Sequence, residues 1–371
     1  MSGRLNIKEE EQEKINLTSS NTSKSNIKLT TIEYISFAKI ISSYGVIILH
    51  INGFWTFQSN SIKLFRIINF YETFFYYSVP VFVLCIGATL LNFPEKYSLT
   101  NYNKKRFIKV FIPLLGWNVI LYLYKVYYLK KNEIEKLNFS NIWNYFFLSK
   151  IYHIFDSLHT FILTYMLIPL LANIDKTKKM KIYIYYFFLL LISQSIIPYI
   201  IKVFQMKIVW IYTLKIGYLI YIFAGYIIHN YNFQIYQKII ICIYLLGIFS
   251  FFLHYIGTEF CYYTNPKDIR LHKGYLNLPA ILYACAVFLL LKEYSLIALS
   301  KINKNFINKI GSLTFGPFFL HIPMIEIINR IPRLYNFFSF NTLFFGLLIF
   351  CLCLLITKAL KCIPIFKYLV P

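Results

Sequence analysis

Residues 34–57 read YISFAKIISSYGVIILHINGFWTF, an apolar stretch that contains Lys39 and His50. A run of this length is what an α-helix needs to cross the hydrocarbon core of a bilayer. The two residues are eleven positions apart. That is close to three helical turns, so both side chains fall on one helix face, about 16 Å apart along the axis. Ionisable side chains inside a membrane span are costly, and they mark functional sites by default.

The composition of the whole chain is that of a membrane protein. Of its 371 residues, 58% are hydrophobic and 20% aromatic, and the mean hydropathy is +0.57. A soluble single domain of this size does not have such a composition. The net charge is +23, but Lys and Arg are scattered between the apolar runs. We therefore expect the lipid bilayer as partner and no nucleic acid.

The chain divides into a polar tail and a membrane-embedded domain. Residues 1–30 are polar and lack the apolar core of a signal peptide, which predicts a disordered cytoplasmic tail. For residues 31–371 we predict an all-α, polytopic membrane domain with about ten transmembrane helices. The second span contains Pro80, and the eighth and tenth are short. The predicted spans are 34–57, 67–91, 107–129, 153–173, 182–201, 208–228, 239–257, 277–291, 312–329 and 342–357.

Basic residues in the connecting loops predict the orientation. If the N-terminus is cytoplasmic, 22 Lys and Arg lie on the cytoplasmic side and 13 on the opposite side. This asymmetry favours a multi-pass protein of the inner (cytoplasmic) membrane with both termini inside the cell. Lys39 would then lie near the cytoplasmic end of the first span and His50 towards the far leaflet.

The seven cysteines suggest neither disulfides nor a metal site. Most fall in predicted spans, and Cys261 falls in a predicted outer loop without an obvious partner there. The sequence has no CxxC, no HExxH and no cluster of His and carboxylates, so we expect no metal. Glycine-rich phosphate loops and GxSxG elbows are absent too.

Three further segments are distinctive for their content and order. Residues 79–87 read VPVFVLCIG. Residues 105–117 begin KRFIK and continue to Pro113 and Trp117. Residues 311–321 read GSLTFGPFFLH.

In this order, with the first span ahead of them, these segments resemble the acyltransferase-3 family of bacterial membrane acyltransferases. Lys39 and His50 match its Arg/Lys-x10-His element, although Ser36 stands where the family usually has Asp. The other segments are similar to its VPlFfxxSG, RxxR-then-Pro and sgxtfgiYliH stretches, with Lys109 in place of the second Arg. The resemblance covers nearly the whole chain after residue 31.

The resemblance implies a chemistry for the charged residues. The family moves an acyl group, commonly acetyl from acetyl-CoA, onto a sugar hydroxyl of a surface polysaccharide or its lipid-linked precursor. His50 is suited to accept the hydroxyl proton, because a low dielectric favours the neutral imidazole, or to carry the acyl group transiently. Lys39 would contact an anion or orient the pocket. Arg106 and Lys109 would bind the phosphates of the acyl-CoA donor.

Other polar residues are candidates for the pocket, although an interhelical hydrogen bond is the alternative role for each. The candidates are Glu72, Asn118, His153, His159 and His321. The predicted outer loop 258–275 would suit contact with the acceptor sugar, or be only a solvated loop.

Two other functions are compatible with the same residues. A transporter or flippase for a glycan intermediate would use intramembrane charges as a substrate path. A non-catalytic assembly subunit would use them only to hold helices together. Dependence on coenzyme A separates the enzyme from both alternatives.

Overall fold

A computed structural model of the chain describes residues 33–53, 62–128, 154–206, 216–232, 237–264, 269–298, 303–331 and 341–371. The predicted tail, residues 1–30, and the candidate His153 lie outside these ranges. The described residues form helices and contain no β-strand. The α-helices are α1 (Glu33–Asn52), α2 (Ile62–Phe75), α3 (Ser78–Leu90), α4 (Leu99–Arg106), α5 (Ile112–Leu123), α6 (Ile154–Ala172), α7 (Lys176–Leu190), α8 (Ile197–Val203), α9 (Leu219–Asn230), α10 (Gln237–Thr264), α11 (Leu278–Ala298), α12 (Lys304–Gly311), α13 (Phe315–Asn329) and α14 (Thr342–Cys362).

The prediction of an all-α polytopic membrane protein is confirmed. Within the described ranges, seven helices are long and apolar enough to cross a membrane, or eight if the bent pair of α12 and α13 forms one span. Two shorter apolar segments, Phe161–Ala172 within α6 and Leu219–Asn230, which is α9, fall on the predicted fourth and sixth spans.

Several predicted boundaries were wrong. The seventh span continues to Thr264, so the first part of the predicted loop 258–275 is helical, and Cys261 is buried within α10. Thr258 and Thr264 extend this helix because each hydroxyl donates to the carbonyl four residues earlier, which shields the polar group. The eighth and tenth spans, α11 and α14, are each 21 residues long, because polar residues continue both helices beyond their apolar runs.

The second span is broken near its middle. Helix α2 ends at Phe75, and α3 begins at Ser78. Pro80 explains the break, because its nitrogen has no hydrogen to donate and its ring collides with the carbonyl four residues earlier. The two helices together still form one apolar span, Ile62–Leu90.

Two glycines let α3 and α9 cross in backbone contact. A Cβ atom added to Gly87 would overlap the carbonyl of Ile222, and one added to Gly225 would overlap the carbonyl of Leu84. Small residues at a helix crossing allow backbones to approach closely, which is the main source of packing energy between helices in lipid. This crossing fixes α3, which forms one wall of the site described below.

Helix ends group at two faces of the bundle. We call the face at the start of α1 the N-terminal face. There the Tyr34 hydroxyl lies 2.6 Å from Nδ1 of His229, at the end of α9. At the opposite face, Arg66 of α2 pairs with Glu259 of α10 at 2.5 Å. These contacts join helix ends that the predicted topology places on the same side of the membrane.

Lysines cap helix ends at the N-terminal face. The ammonium of Lys179 donates to the Leu91 carbonyl at 3.2 Å, just after α3. Lys292 donates to the Ile228 carbonyl at 2.7 Å, in the last turn of α9. Both bonds satisfy carbonyls that lack a partner within their own helix, and they place positive charge at the negative end of the helix dipole.

The glycine crossing makes a prediction about stability. Gly225→Ala should lower the free energy of unfolding by about 1–3 kcal/mol, because the added methyl group requires the two backbones to separate. Gly116→Ala is the control, since there the new Cβ meets only the flexible end of the Leu369 side chain. Thermal unfolding in detergent measures both, and an equal effect of the two substitutions would contradict the crossing.

Candidate active site

The site is built on one stripe of α1. Lys39, Ser43, Val46 and His50 follow each other at spacings of four, three and four residues, which keeps them on one helix face. Ser43 and Val46 line a small pocket with room for about one water molecule. Its other walls are Phe82 of α3 and Pro317, Phe318 and His321 of α13. The stripe therefore faces a pocket formed by three helices.

Two imidazoles meet at one end of this pocket. The rings of His50 and His321 have their centroids 4.8 Å apart, with planes tilted by 54°. His321 is fully buried, whereas His50 is exposed. Both histidines were predicted as site residues, and the structure brings them together across 271 positions of sequence.

A hydrogen bond fixes the tautomer of His321. Its Nδ1 lies 2.7 Å from the carbonyl oxygen of Pro317. Because a carbonyl can only accept, Nδ1 carries the proton and donates it, which leaves Nε2 with a lone pair in the neutral ring. Nε2 is buried and has no hydrogen-bond partner within the described part of the chain. A second, uncommitted proton acceptor thus lies beside His50.

Close packing of α12 against α1 sets the position of His321 along α1. A Cβ atom on Gly311 would collide with the Cα and Cβ atoms of Ser36. From that contact α13 turns by 61° and continues alongside α1 in the same direction, which brings His321 level with His50. Ser36, where the resemblance described above would place Asp, serves helix packing here.

Cations from three parts of the chain converge at the other end of the stripe. Lys109 interacts electrostatically with Arg106, Lys39 and Lys105, and Lys361 interacts with Lys109. We call these five residues the cation cluster. Like charges gathered at one place create a field that attracts an anion. The prediction that Arg106 and Lys109 share a site is consistent with this geometry, and Lys39 lies with them.

The backbone around the cluster is irregular. Lys109 lies in a π-helical turn, Phe107–Phe111, which directly follows α4. Such turns are rare and frequently occur at functional sites. The Arg106 guanidinium lies over the rings of Tyr102 and Tyr165, at 5.7 and 5.5 Å from their centroids. These cation–π contacts hold the guanidinium in place.

The last helix adds a residue that sequence reasoning missed. Lys361 of α14 donates from Nζ to the Ser312 carbonyl at 3.0 Å, at the bend between α12 and α13. In the sequence it reads as an ordinary basic residue after the final span. Ser43 and Val46 were missed too, although their spacing from Lys39 and His50 was available as a signal.

Glu72 belongs to a different polar cluster, near the end of α1. Its buried side chain bonds to Asn52, two residues after His50, and interacts with the charge of Lys273. Lys273 lies in the connection between α10 and α11 and is also buried. The ring of Tyr76 stacks on Tyr275 with centroids 4.7 Å apart. The second half of the predicted outer loop therefore packs over α2.

Two other candidates remain. Asn118 is buried in α5, and its amide donates to the Leu114 carbonyl of the same helix at 2.8 Å. The backbone of His159 lies in the first part of α6. Within the described residues, no group of three or more His, Cys, Asp or Glu side chains is arranged to hold a metal ion.

The fold and this arrangement define a polytopic helical membrane protein whose site has one cationic end and one imidazole end. Over residues 32–360 the sequence matches the acyltransferase-3 family, described as an acyltransferase domain. The chain belongs to that family and is a membrane acyltransferase. No curated protein and no solved structure matches it.

The buried Lys273 predicts a pH dependence of stability. Burial lowers its pKa from 10.5 to about 7, and the Glu72 charge opposes that shift. Between pH 7 and 10.5 the unfolded chain therefore binds more protons than the folded one, and stability rises with pH, by up to about 1.4 kcal/mol per unit. Thermal unfolding of wild type and Lys273→Met across this range measures the effect. The rise should be absent from the variant and retained in Lys63→Met, an exposed lysine; identical curves for all three would contradict it.

Proposed function

We propose that this protein is an O-acyltransferase that moves an acyl group from acyl-CoA to a sugar hydroxyl of a cell-surface polysaccharide or its lipid-linked precursor. The observation that carries the proposal is the polarity of the site along α1. A cation cluster lies at one end of the stripe, an imidazole pair lies at the other, and a pocket lies between them. An acyl-CoA has a similar layout, with phosphates at one end, a thioester at the other and an uncharged arm between.

The cation cluster is suited to the donor's phosphates. Arg106 offers a planar fork of N–H donors that matches phosphate oxygens, and Lys39, Lys109 and Lys361 add compact charges. The basic-residue asymmetry favours the N-terminal face as the cytoplasmic one, where acyl-CoA is available. The donor would then enter from the cytoplasm of an inner-membrane protein whose two termini are cytoplasmic.

The imidazole pair is suited to the transfer itself. In the proposed step the acceptor hydroxyl oxygen bonds to the thioester carbonyl carbon, and the carbon–sulfur bond breaks. His50 takes the hydroxyl proton and delivers it to the departing thiolate, so the products are the sugar ester and free coenzyme A. The exposed position of His50 suits contact with an acceptor from the far side of the membrane.

His321 acts in this scheme as a positioning residue. Its Nδ1 is committed to the Pro317 carbonyl, so its Nε2 presents a lone pair beside His50. When His50 becomes an imidazolium, it gains an N–H that this lone pair can accept. The interaction exists only in the protonated state, so it lowers the barrier without tightening substrate binding.

The proposed role of His50 predicts a loss of transfer when it is replaced. Membranes that contain His50→Ala should transfer radiolabel from acetyl-CoA to glycan at least about 100-fold more slowly than wild type at equal protein levels, because the general base is lost. His229→Ala is the matched control, a histidine that bonds to Tyr34 away from the pocket, and it should retain transfer. Equal labelling by wild type and His50→Ala would remove His50 from the mechanism. Absence of labelling in the wild type would favour a non-CoA donor or the transport alternative.

The proposed role of Arg106 in donor binding predicts a change in KM. Arg106→Gln should raise the KM for acetyl-CoA by roughly 10-fold or more and change kcat little, because a charge-assisted phosphate contact of about 1.5–3 kcal/mol is lost in ground and transition states alike. Arg66→Gln, at the opposite face, should leave the KM unchanged. An unaltered KM in Arg106→Gln would place the phosphates elsewhere.

A further inference from the structure

The pocket between the cation cluster and the imidazole pair has mainly apolar walls. Val46, Phe82 and Phe318 contribute hydrocarbon walls, and Pro317 contributes its ring. The polar lining consists of Ser43 and His321 alone, so the lining includes no Lys, Arg, Asp or Glu. A ligand group inside this pocket meets no opposite charge among the lining residues.

The position of the pocket links it to the donor, and this link depends on the function proposed above. A donor held by its phosphates at the cation cluster must bring its thioester to His50 and His321. The acyl group is the leading end of that molecule. Because His321 is itself part of the pocket lining, the acyl chain of a thioester held at His321 lies against the pocket walls during the transfer.

We propose that this pocket selects the acyl group, admitting a short uncharged chain such as acetyl and rejecting a dicarboxylic chain such as succinyl. Val46, Phe82 and Phe318 are the specificity-determining residues. The pocket thus distinguishes two classes of donor whose phosphate end is identical and which the cation cluster would bind equally well.

Charge provides the first part of the selection. A carboxylate moved from water into apolar surroundings needs a cation or several hydrogen-bond donors. The Nδ1 proton of His321 is already donated to Pro317, and its Nε2 presents a lone pair that repels an anion. The Ser43 hydroxyl supplies a single donor, which is too little to replace the water around a carboxylate.

Size provides the second part. The walls leave room for about one water molecule, which is close to the size of a methyl group, and the half-buried rings of Phe82 and Phe318 border this space from two different helices. A chain that is longer than the space must displace one of these rings. Each methylene that a pocket cannot accommodate reduces the specificity constant by about 10-fold or more.

The experiment compares acetyl-, butyryl- and succinyl-CoA in membranes, with release of the coenzyme A thiol as readout. Butyryl and succinyl have the same four-carbon chain and differ in the terminal carboxylate, so their ratio isolates charge. Wild type should use acetyl-CoA best, butyryl-CoA at least about 10-fold less well, and succinyl-CoA at least about 10-fold less well again.

Two substitutions of Phe82 separate selection by size from selection by charge. Phe82→Ala should raise butyryl relative to acetyl transfer about 10-fold and leave succinyl transfer low, because it adds space without charge. Phe82→Arg should raise succinyl relative to butyryl transfer, because it supplies the missing cation. Val46→Ala should act in the same direction as Phe82→Ala. The controls are Val83→Ala and Phe223→Ala, buried residues of the same types that do not line the pocket, and they should leave every ratio unchanged.

The outcomes are distinct. Wild-type membranes that use succinyl-CoA as well as butyryl-CoA would overturn the selection by charge while leaving the acyltransferase function in place. Ratios that stay constant in Phe82→Ala and Val46→Ala, both shown to be folded by their transfer from acetyl-CoA, would overturn the assignment of the specificity residues. Membranes that use no acyl-CoA would overturn the proposed function itself, and the pocket's role with it.

Discussion

The packing of α12 and α13 against α1 is the contact on which the rest of the site depends. Gly311 lies on Ser36 without space for a Cβ atom, and His321 meets His50 further along the same pair of helices. A larger residue at Gly311 would push the later helices away from the stripe of α1. The pocket and the imidazole pair would then separate together, because both are formed across this one interface.

Many polar groups of the bundle are paired within it, as a bilayer favours. Threonine hydroxyls donate to carbonyls of their own helices, and Lys179 and Lys292 cap helix ends. The Gly87–Gly225 crossing brings backbones together without polar side chains. The buried Nε2 of His321 has no hydrogen-bond partner in the described part of the chain, and what distinguishes it is its place beside the proposed base.

The two ends of the site differ in their electrostatics, and the difference suits a donor with two ends. At one end Lys109 interacts with four other cations, and an anion would relieve this repulsion. The adjoining pocket has apolar walls and two uncharged polar residues. A donor with phosphates at one end and an uncharged acyl thioester at the other satisfies both environments at once, and a donor with charge at both ends does not.

The sequence by itself determined the class of protein, because membrane spans are long apolar runs and these survive any choice of tertiary packing. It also placed Lys39 and His50 on one helix face, since helical periodicity is a local property, and its ordered segments identified the family. Only the tertiary structure decided which distant residues join them. His321 reaches His50 through the Gly311 contact, and Lys361 reaches Lys109 through the return of α14. The pocket walls come from three helices, and no local pattern specifies how separate helices pack.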